Sequence, residues 1–341
     1  MQMRDDLGIT TKLENGKAYL EFALPEKIGR LLSALQIEIW EDVEGGRLVF
    51  HGEYSSEEAD SMAALLLRPH LWDGMRDPYV YLVKAQGRFG TMEYGEKTGC
   101  TENEEESDPA EDITEAVEVY WQQELAIYDV HVIDKKGIFL NEKEFLPHEV
   151  VYRLPPQISD AGTREEQVRR DLERLARMGV NVIRLEGTGT GAGGLNCAGV
   201  RTFYSLCRKR GFLTGDLWIR PENLPVYRGL PGETTCQALL AADGRTLTER
   251  YYYYQAKWSS KPVLYPVLST LHRQENGLLS LTIYSNQKKV VLYVDGVLFL
   301  FQSAASGDPE FIFEDIPVAK LPLHLAAEAG NLSISLTVTK L

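Results

Sequence analysis

EEQVRRDLERLARMGVNVIRLEGTGTGAGGLNCAGVRTFYSLCRKRGFLTGDL, residues 165–217, reads as helix, strand, glycine-rich loop, helix, strand. Leu172, Leu175, Ala176 and Met178 recur at helical spacing with Glu and Arg between them. Gly179 then stands where a left-handed C-cap residue belongs. Val180, Val182, Ile183 and Leu185 form the short apolar run of a strand buried on both faces. Phe203, Leu206 and Cys207 begin a second apolar helix face, which Gly211 ends before Phe212 and Leu213. Parallel strands joined by helices are the expected result.

Working outward, residues 17–92 read as all-β. Leu35, Ile37 and Ile39 alternate with Gln36, Glu38 and Trp40, and Gly45-Gly46 turns the chain into RLVFHGEY. Short strands at regular spacing predict a β-sandwich. Residues 96–112 are acidic and poor in apolar side chains, a solvated loop. Residues 113–133 return to strand composition, and KKGIFLNEKEFL predicts a tight hairpin on Asn141 and Glu142. The proline-rich stretch from 219 to 250 shows little periodicity and is expected to connect two bodies while packing against both. From Val263 strands resume as a second sandwich, with Asp295-Gly296 the strongest hairpin signal in the chain.

With 341 residues, 44% hydrophobic and 25% charged, the chain has room for two or three domains. A net charge of −14 argues against nucleic acid and anionic membrane surfaces as partners. The four cysteines are scattered, and Cys207 reads as a small core residue. The six histidines show no metal-ligand spacing, so neither a metal nor a cofactor is expected. No apolar run reaches the roughly 18–20 residues of a spanning helix, and a cytoplasmic protein is expected.

In order along the chain, these segments resemble glycoside hydrolase family 2, the β-galactosidase and β-glucuronidase group. LRPHLWDGMRDPYVYLVKA (67–85) resembles that family's sandwich strand, and GIFLNEKEFL (137–146) its "fflNGkp" segment. DLERLARMGVNVIRL (171–185) is similar to "DL..mK.mGvNaiR", and FYSLCRKRGFLTGDL (203–217) to "FydlCDe.Gilv.dE". RYYYYQAKWSSKPVLY (250–265) resembles the linker before the last sandwich, and LTIYSNQKKVVLYVDGVLFL (281–300) resembles "V.vySNa..VeLflNGk.l". The resemblance implies immunoglobulin-like sandwiches at 1–134 and 258–341 around a TIM-barrel-like α/β domain at 135–257. That barrel is severely truncated, because Ile138 to Gln255 is far short of the roughly 250 residues a (β/α)₈ barrel occupies.

Neither glutamate of the family's catalytic pair has a counterpart. Asn141-Glu142 precedes the first barrel strand and does not correspond to the family's Asn-Glu. After the second strand the family carries Arg-x-Ser-His-Tyr-Pro, where this chain has Arg184 followed by LEGTGTGAGG. Glu186 and Asp216 would leave strand ends at the edge where barrel chemistry occurs, which makes them the candidates for a rebuilt carboxylate pair. The plainer reading has them capping helices or pairing with Arg184 and Arg220. Arg184 and Trp218 are the sugar-binding candidates; Tyr251 to Tyr254, Trp258 and Trp72 read mainly as packing residues. Residues 187–194 contain a formal GxGxxG, a remote nucleotide-binding alternative, with Asp216 downstream.

The expectation is a family 2-like protein that binds carbohydrate or a partner and has lost hydrolysis, with an active β-glycosidase as the alternative. An incomplete barrel exposes strand edges, so a homodimer, another partner or the 219–250 segment is expected to cover them.

Overall fold

The structure, a computed structural model, describes residues 7–24, 32–42, 46–89, 117–154, 161–186, 197–215, 224–229, 238–305 and 307–340. The acidic stretch 96–112, the glycine-rich loop 187–194, Asp216 and Trp218 lie outside them. The chain divides into two compact units, 1–146 with 197–201, and 147–196 with 202–341.

In the first unit, β1 (Gly8–Glu14), β2 (Lys17–Ala23) and β5 (Ala63–Leu67) form one antiparallel sheet. The other sheet has the order β4-β3-β6-β7, from β3 (Leu32–Glu41), β4 (Leu48–Ser55), β6 (Tyr81–Phe89) and β7 (Val117–Leu125). Every second residue turns inward. Leu20, Phe22 and Leu66 from one sheet thereby share a core with Ile37, Val83 and Trp121 from the other. Trp72 is buried beside Tyr128 and is a packing residue.

A smaller sheet joins β8 (Val130–Ile133), β9 (Gly137–Leu140) and β10 (Lys143–Phe145). Its tight hairpin turns on Asn141 and Glu142, both at positive φ. The Asn141 side chain also ties loops together, donating to Trp72 O at 2.9 Å and accepting from Asp129 N at 3.0 Å.

The second unit holds the opening stretch apart from residues 197–201. β11 (Glu149–Arg153) is followed by α1 (Ala161–Met178), β12 (Val182–Glu186), α2 (Cys197–Lys209) and β13 (Leu213–Thr214). Helix α1 stops at Gly179, at φ +94°, where the backbone must reverse its hand. The 219–250 stretch, expected to be a connector, instead supplies β14 (Val226–Arg228) and β15 (Ala238–Leu240) to the same sheet. Three-residue strands buried in a parallel sheet carry no alternation to read. The segment thus covers one flank of the sheet.

All five strands are parallel, in the order β13-β12-β11-β14-β15. Numbered along the chain this is 3-2-1-4-5. A barrel lays successive strands side by side around a closed ring. Here the chain returns to the far side of β11 and builds outward. Among the described residues the sheet is open, with β13 and β15 as its ends.

The four tyrosines 251–254, read above as packing residues, lie on helix α3 (Glu249–Trp258). Tyr251 enters the α/β core, Tyr252 stacks on Tyr265 at 3.7 Å, and Tyr253 meets the Tyr284 ring edge-on at 5.5 Å. Packing on three sides outweighs the β-preference of tyrosine.

The remaining strands are β16 (Leu264–Arg273), β17 (Leu279–Ser285), β18 (Lys289–Val294), β19 (Val297–Ser303), β20 (Glu310–Ile316), β21 (Leu323–Ala329) and β22 (Leu332–Val338). They form sheets β16-β17-β20 and β19-β18-β21-β22 around a core that includes Ile283, Leu292, Phe313 and Leu325. Asp295 and Gly296, both at positive φ, turn β18 into β19.

Candidate functional site

The carboxyl edge of the parallel sheet was the expected location of chemistry. Strands β11 and β12 align with Val151 opposite Arg184 and Arg153 opposite Glu186. Alternation puts Val150, Tyr152 and Ile183 on the helix-covered face, and Glu149, Arg153, Arg184 and Glu186 on the other. On that second face the charges pair across the strands. Arg153 Nε donates to Glu186 Oε2 at 2.7 Å, and Arg184 Nε donates to Glu149 Oε1 at 2.8 Å.

Glu186 therefore pairs with Arg153, while Arg220 lies outside the described residues. The Glu186 side chain is 51% exposed, so its pair contributes on the order of 1 kcal/mol or less. The Glu149 side chain is 0% exposed and the Arg184 side chain 13%. Removing either member of that buried pair would cost about 3–5 kcal/mol. The sugar-binding candidate Arg184 is thus a structural ion-pair residue.

Retaining glycosidases hold two carboxyls about 5–5.5 Å apart. Glu149 lies opposite Val182, four residues before Glu186 on β12. At roughly 3.3 Å per residue, Glu149 and Glu186 stand about 13 Å apart along the sheet. These two are not a hydrolytic pair.

Across the sheet, Asp171 of α1 is buried. It accepts hydrogen bonds from Tyr152 Oη at 3.0 Å, Tyr227 Oη at 2.8 Å and Arg228 Nη2 at 2.9 Å. Burial, and then the Asp171 charge, push both phenols well above their ordinary range, so they remain donors. The cluster ties α1 to β11 and β14. Sequence reasoning passed over Asp171, although an aspartate beside Val168, Leu172 and Leu175 on one helix face is a readable signal of a satisfied buried carboxylate.

An open 3-2-1-4-5 sheet receives ligands outside its strand ends at the reversal point, here between β11 and β14. The GxGxxG segment follows β12, which does not border that point. The nucleotide alternative draws no support from the topology. Among the described residues no group of three or more His, Cys, Asp or Glu could hold a metal ion, and no helix is long and apolar enough to cross a membrane.

A better-formed site lies on the polar face of β3-β6-β7 in the first unit. Gln36 and Glu38, Lys84 and Gln86, and Tyr120 and Gln122 line a cavity of about 490 Å³. Tyr120 donates to Glu118 Oε2 at 2.7 Å, and Gln86 Nε2 donates to Tyr120 Oη at 3.0 Å. Trp40 Nε1 donates to Glu38 Oε2 at 2.9 Å, and Lys84 Nζ stands 5.3 Å from the Trp40 ring centre. The Tyr120 hydrogen bond, and then that of Arg88, hold the Glu118 carboxyl below its usual range. Half of the alternating pattern in LSALQIEIWE identified the core; the other half puts Gln36 and Glu38 in this site, with Trp40 beside them.

Amides, a carboxylate, an ammonium and the exposed Tyr120 ring suit a ligand with many hydroxyls and apolar C–H faces. They supply no paired acid and base.

The solved structures similar to this chain are multidomain family 2 glycosidases, and the likeness is one of fold. The FMN-binding β-glucuronidase from Facaelibacterium prausnitzii L2-6 matches with a TM-score of 0.67 at 13% identity, over 98% of this chain and 74% of that one. The β-glycosidase from Bacteroides vulgatus matches at 0.64 and 12%, over 98% and 64%. The glycosyl hydrolase family 2 member from Bacteroides cellulosilyticus DSM 14838 matches at 0.61 and 11%, over 98% and 63%. The chain spans under two thirds of the length of the latter two. No family model and no curated protein matches its sequence.

Proposed function

We propose that this chain is a family 2 glycoside hydrolase-like protein of carbohydrate metabolism that binds a saccharide on the polar face of β3-β6-β7 without hydrolysing it. One observation carries this reading: a cavity of about 490 Å³ lined by Gln36, Glu38, Lys84, Gln86, Tyr120 and Gln122. The size lies within the roughly 300–1,000 Å³ of small-molecule sites. Immunoglobulin-like sandwiches at 1–134 and 258–341, around a truncated barrel-derived domain at 135–257, belong to the same proposal. Its support is the order of the motifs along the chain and the two antiparallel sandwiches.

The partner beyond the saccharide is a second copy of the chain. Edge strand β19 offers it exposed apolar side chains, with Val297 70%, Leu298 55% and Phe301 54% exposed. The cytoplasm is the proposed setting, and the buried, unbridged Cys207 suits it.

A second reading, an active β-glycosidase, is favoured by the half-exposed Glu186 at the carboxyl end of β12. Incubation with aryl β-galactosides and β-glucuronides separates the two. The expected result is no turnover above buffer in either wild type or Glu186→Gln. Turnover by wild type that Glu186→Gln abolishes would overturn the non-hydrolytic proposal.

A further inference from the structure

A second cavity, of about 620 Å³, opens within the second unit at the start of α3. Arg250, Tyr253 and Tyr254 of α3, with Tyr284 of β17 and Glu310 of β20, contribute to its wall.

Arg250 carries an unsatisfied group in this wall. Its Nε is buried and has no hydrogen-bond partner among the described residues. Its Nη2 stands 3.5 Å from Tyr254 Oη, and its guanidinium 5.6 Å from the Tyr254 ring centre. A buried donor without an acceptor is unfavourable, and a ligand that accepts from it would remove that cost.

The nearby carboxylates do not meet that need. Glu249 is occupied by Ser269, whose backbone N donates at 3.0 Å and whose hydroxyl donates at 2.5 Å. Burial, and then the charge of Asp308, raise the Glu310 carboxyl above its usual range. The Thr248 hydroxyl donates to Ala238 O and does not cap α3, so the positive end of that helix also faces this region.

We propose that this cavity binds a small hydroxylated carboxylate, the class to which sugar acids belong. The Arg250 fork takes the carboxylate in the planar, two-point geometry that guanidinium favours. The rings of Tyr253 and Tyr284 form an apolar wall for the C–H face of a pyranose. Glu310 accepts from ring hydroxyls, and the Tyr284 hydroxyl, pushed up to about 12 by burial, remains a donor. This site is separate from the β3-β6-β7 face and does not depend on that reading.

Calorimetric titration of the full chain with D-galacturonate, D-galactose and inorganic phosphate tests the proposal. Galacturonate is expected to bind at least ten-fold more tightly than galactose or phosphate. Arg250→Gln is expected to weaken it ten-fold or more, and Arg250→Lys to an intermediate degree, with unchanged thermal melts. Tyr120→Ala, on the other face, is expected to leave galacturonate affinity within two-fold of wild type.

The proposal is overturned if galacturonate does not bind, or if galactose or phosphate binds as tightly. It is equally overturned if Arg250→Gln binds galacturonate like wild type, or if Tyr120→Ala removes that binding. A destabilised Arg250→Gln leaves Tyr284→Phe to decide. Loss of one hydroxyl donor there is expected to weaken binding several-fold, and unchanged affinity would also contradict the assignment.

Discussion

His148 illustrates how a single half-buried group sets a pH dependence. Its backbone N–H donates to Asn181 Oδ1 at 2.7 Å, its Nδ1 pairs with Gly179 O at 2.9 Å, and its ring stacks on Trp258 at 5.1 Å. Burial pushes its pKa below the usual histidine range, and the Gly179 carbonyl offsets part of that shift. The folded chain therefore favours the neutral ring, while the unfolded chain takes up a proton near pH 6.5. The resulting stability is complete above that pH and is lost as pH falls toward the depressed folded value. Thermal melts from pH 7.5 to 5 should lose stability more steeply for wild type than for His148→Phe, which keeps the stack but cannot titrate. Parallel slopes would contradict this assignment. Single residues with a strong local demand were legible in the sequence: Gly179 at a helix end, Cys207 on an apolar face, Asp295-Gly296 in a turn. Partnerships were not. Glu186 finds Arg153 and Arg184 finds Glu149 through a register 33 to 35 residues long, which no local pattern encodes.

Among the elements, α1 and α3 are locked at one point. Gly179 needs a left-handed backbone, and a Cβ there would stand 2.5 Å from Trp258 O and 2.9 Å from Ser259 N. Gly179→Ala combines conformational strain with a backbone clash and should cost about 2–5 kcal/mol in urea unfolding. A loss under 1 kcal/mol would mean that the two helix ends are free to separate. Sandwich strands were readable because one face of each is wet and the other dry. The short strands β14 and β15 lack that contrast. Helix α3 was not legible because its tyrosines favour strands in isolation, and it packs through Tyr252 on Tyr265 and Tyr253 on Tyr284. The cavity on β3-β6-β7 was present in the sequence as the polar half of an alternating pattern. Its concavity, which depends on three strands far apart in the chain, was not.

At the scale of the whole molecule, a net charge of −14 opposes association, yet β19 presents Val297, Leu298 and Phe301 on a sheet edge. Edge strands with apolar side chains recruit further strands. Sedimentation should detect a concentration-dependent dimer that Leu298→Lys with Phe301→Glu converts to monomer. A wild type that stays monomeric at high concentration would remove the self-association. The fold is shared with family 2 glycosidases, but the described carboxylates on the open face of the parallel sheet are paired with arginines. The proposed activity is binding without turnover. The most direct measurement is affinity for neutral oligosaccharides on a glycan array, comparing wild type with Tyr120→Ala. Wild type should retain a defined set of glycans, and Tyr120→Ala should bind them roughly ten-fold more weakly, the contribution expected of one stacking ring. Retention of no glycan, or equal binding by both proteins, would contradict the account.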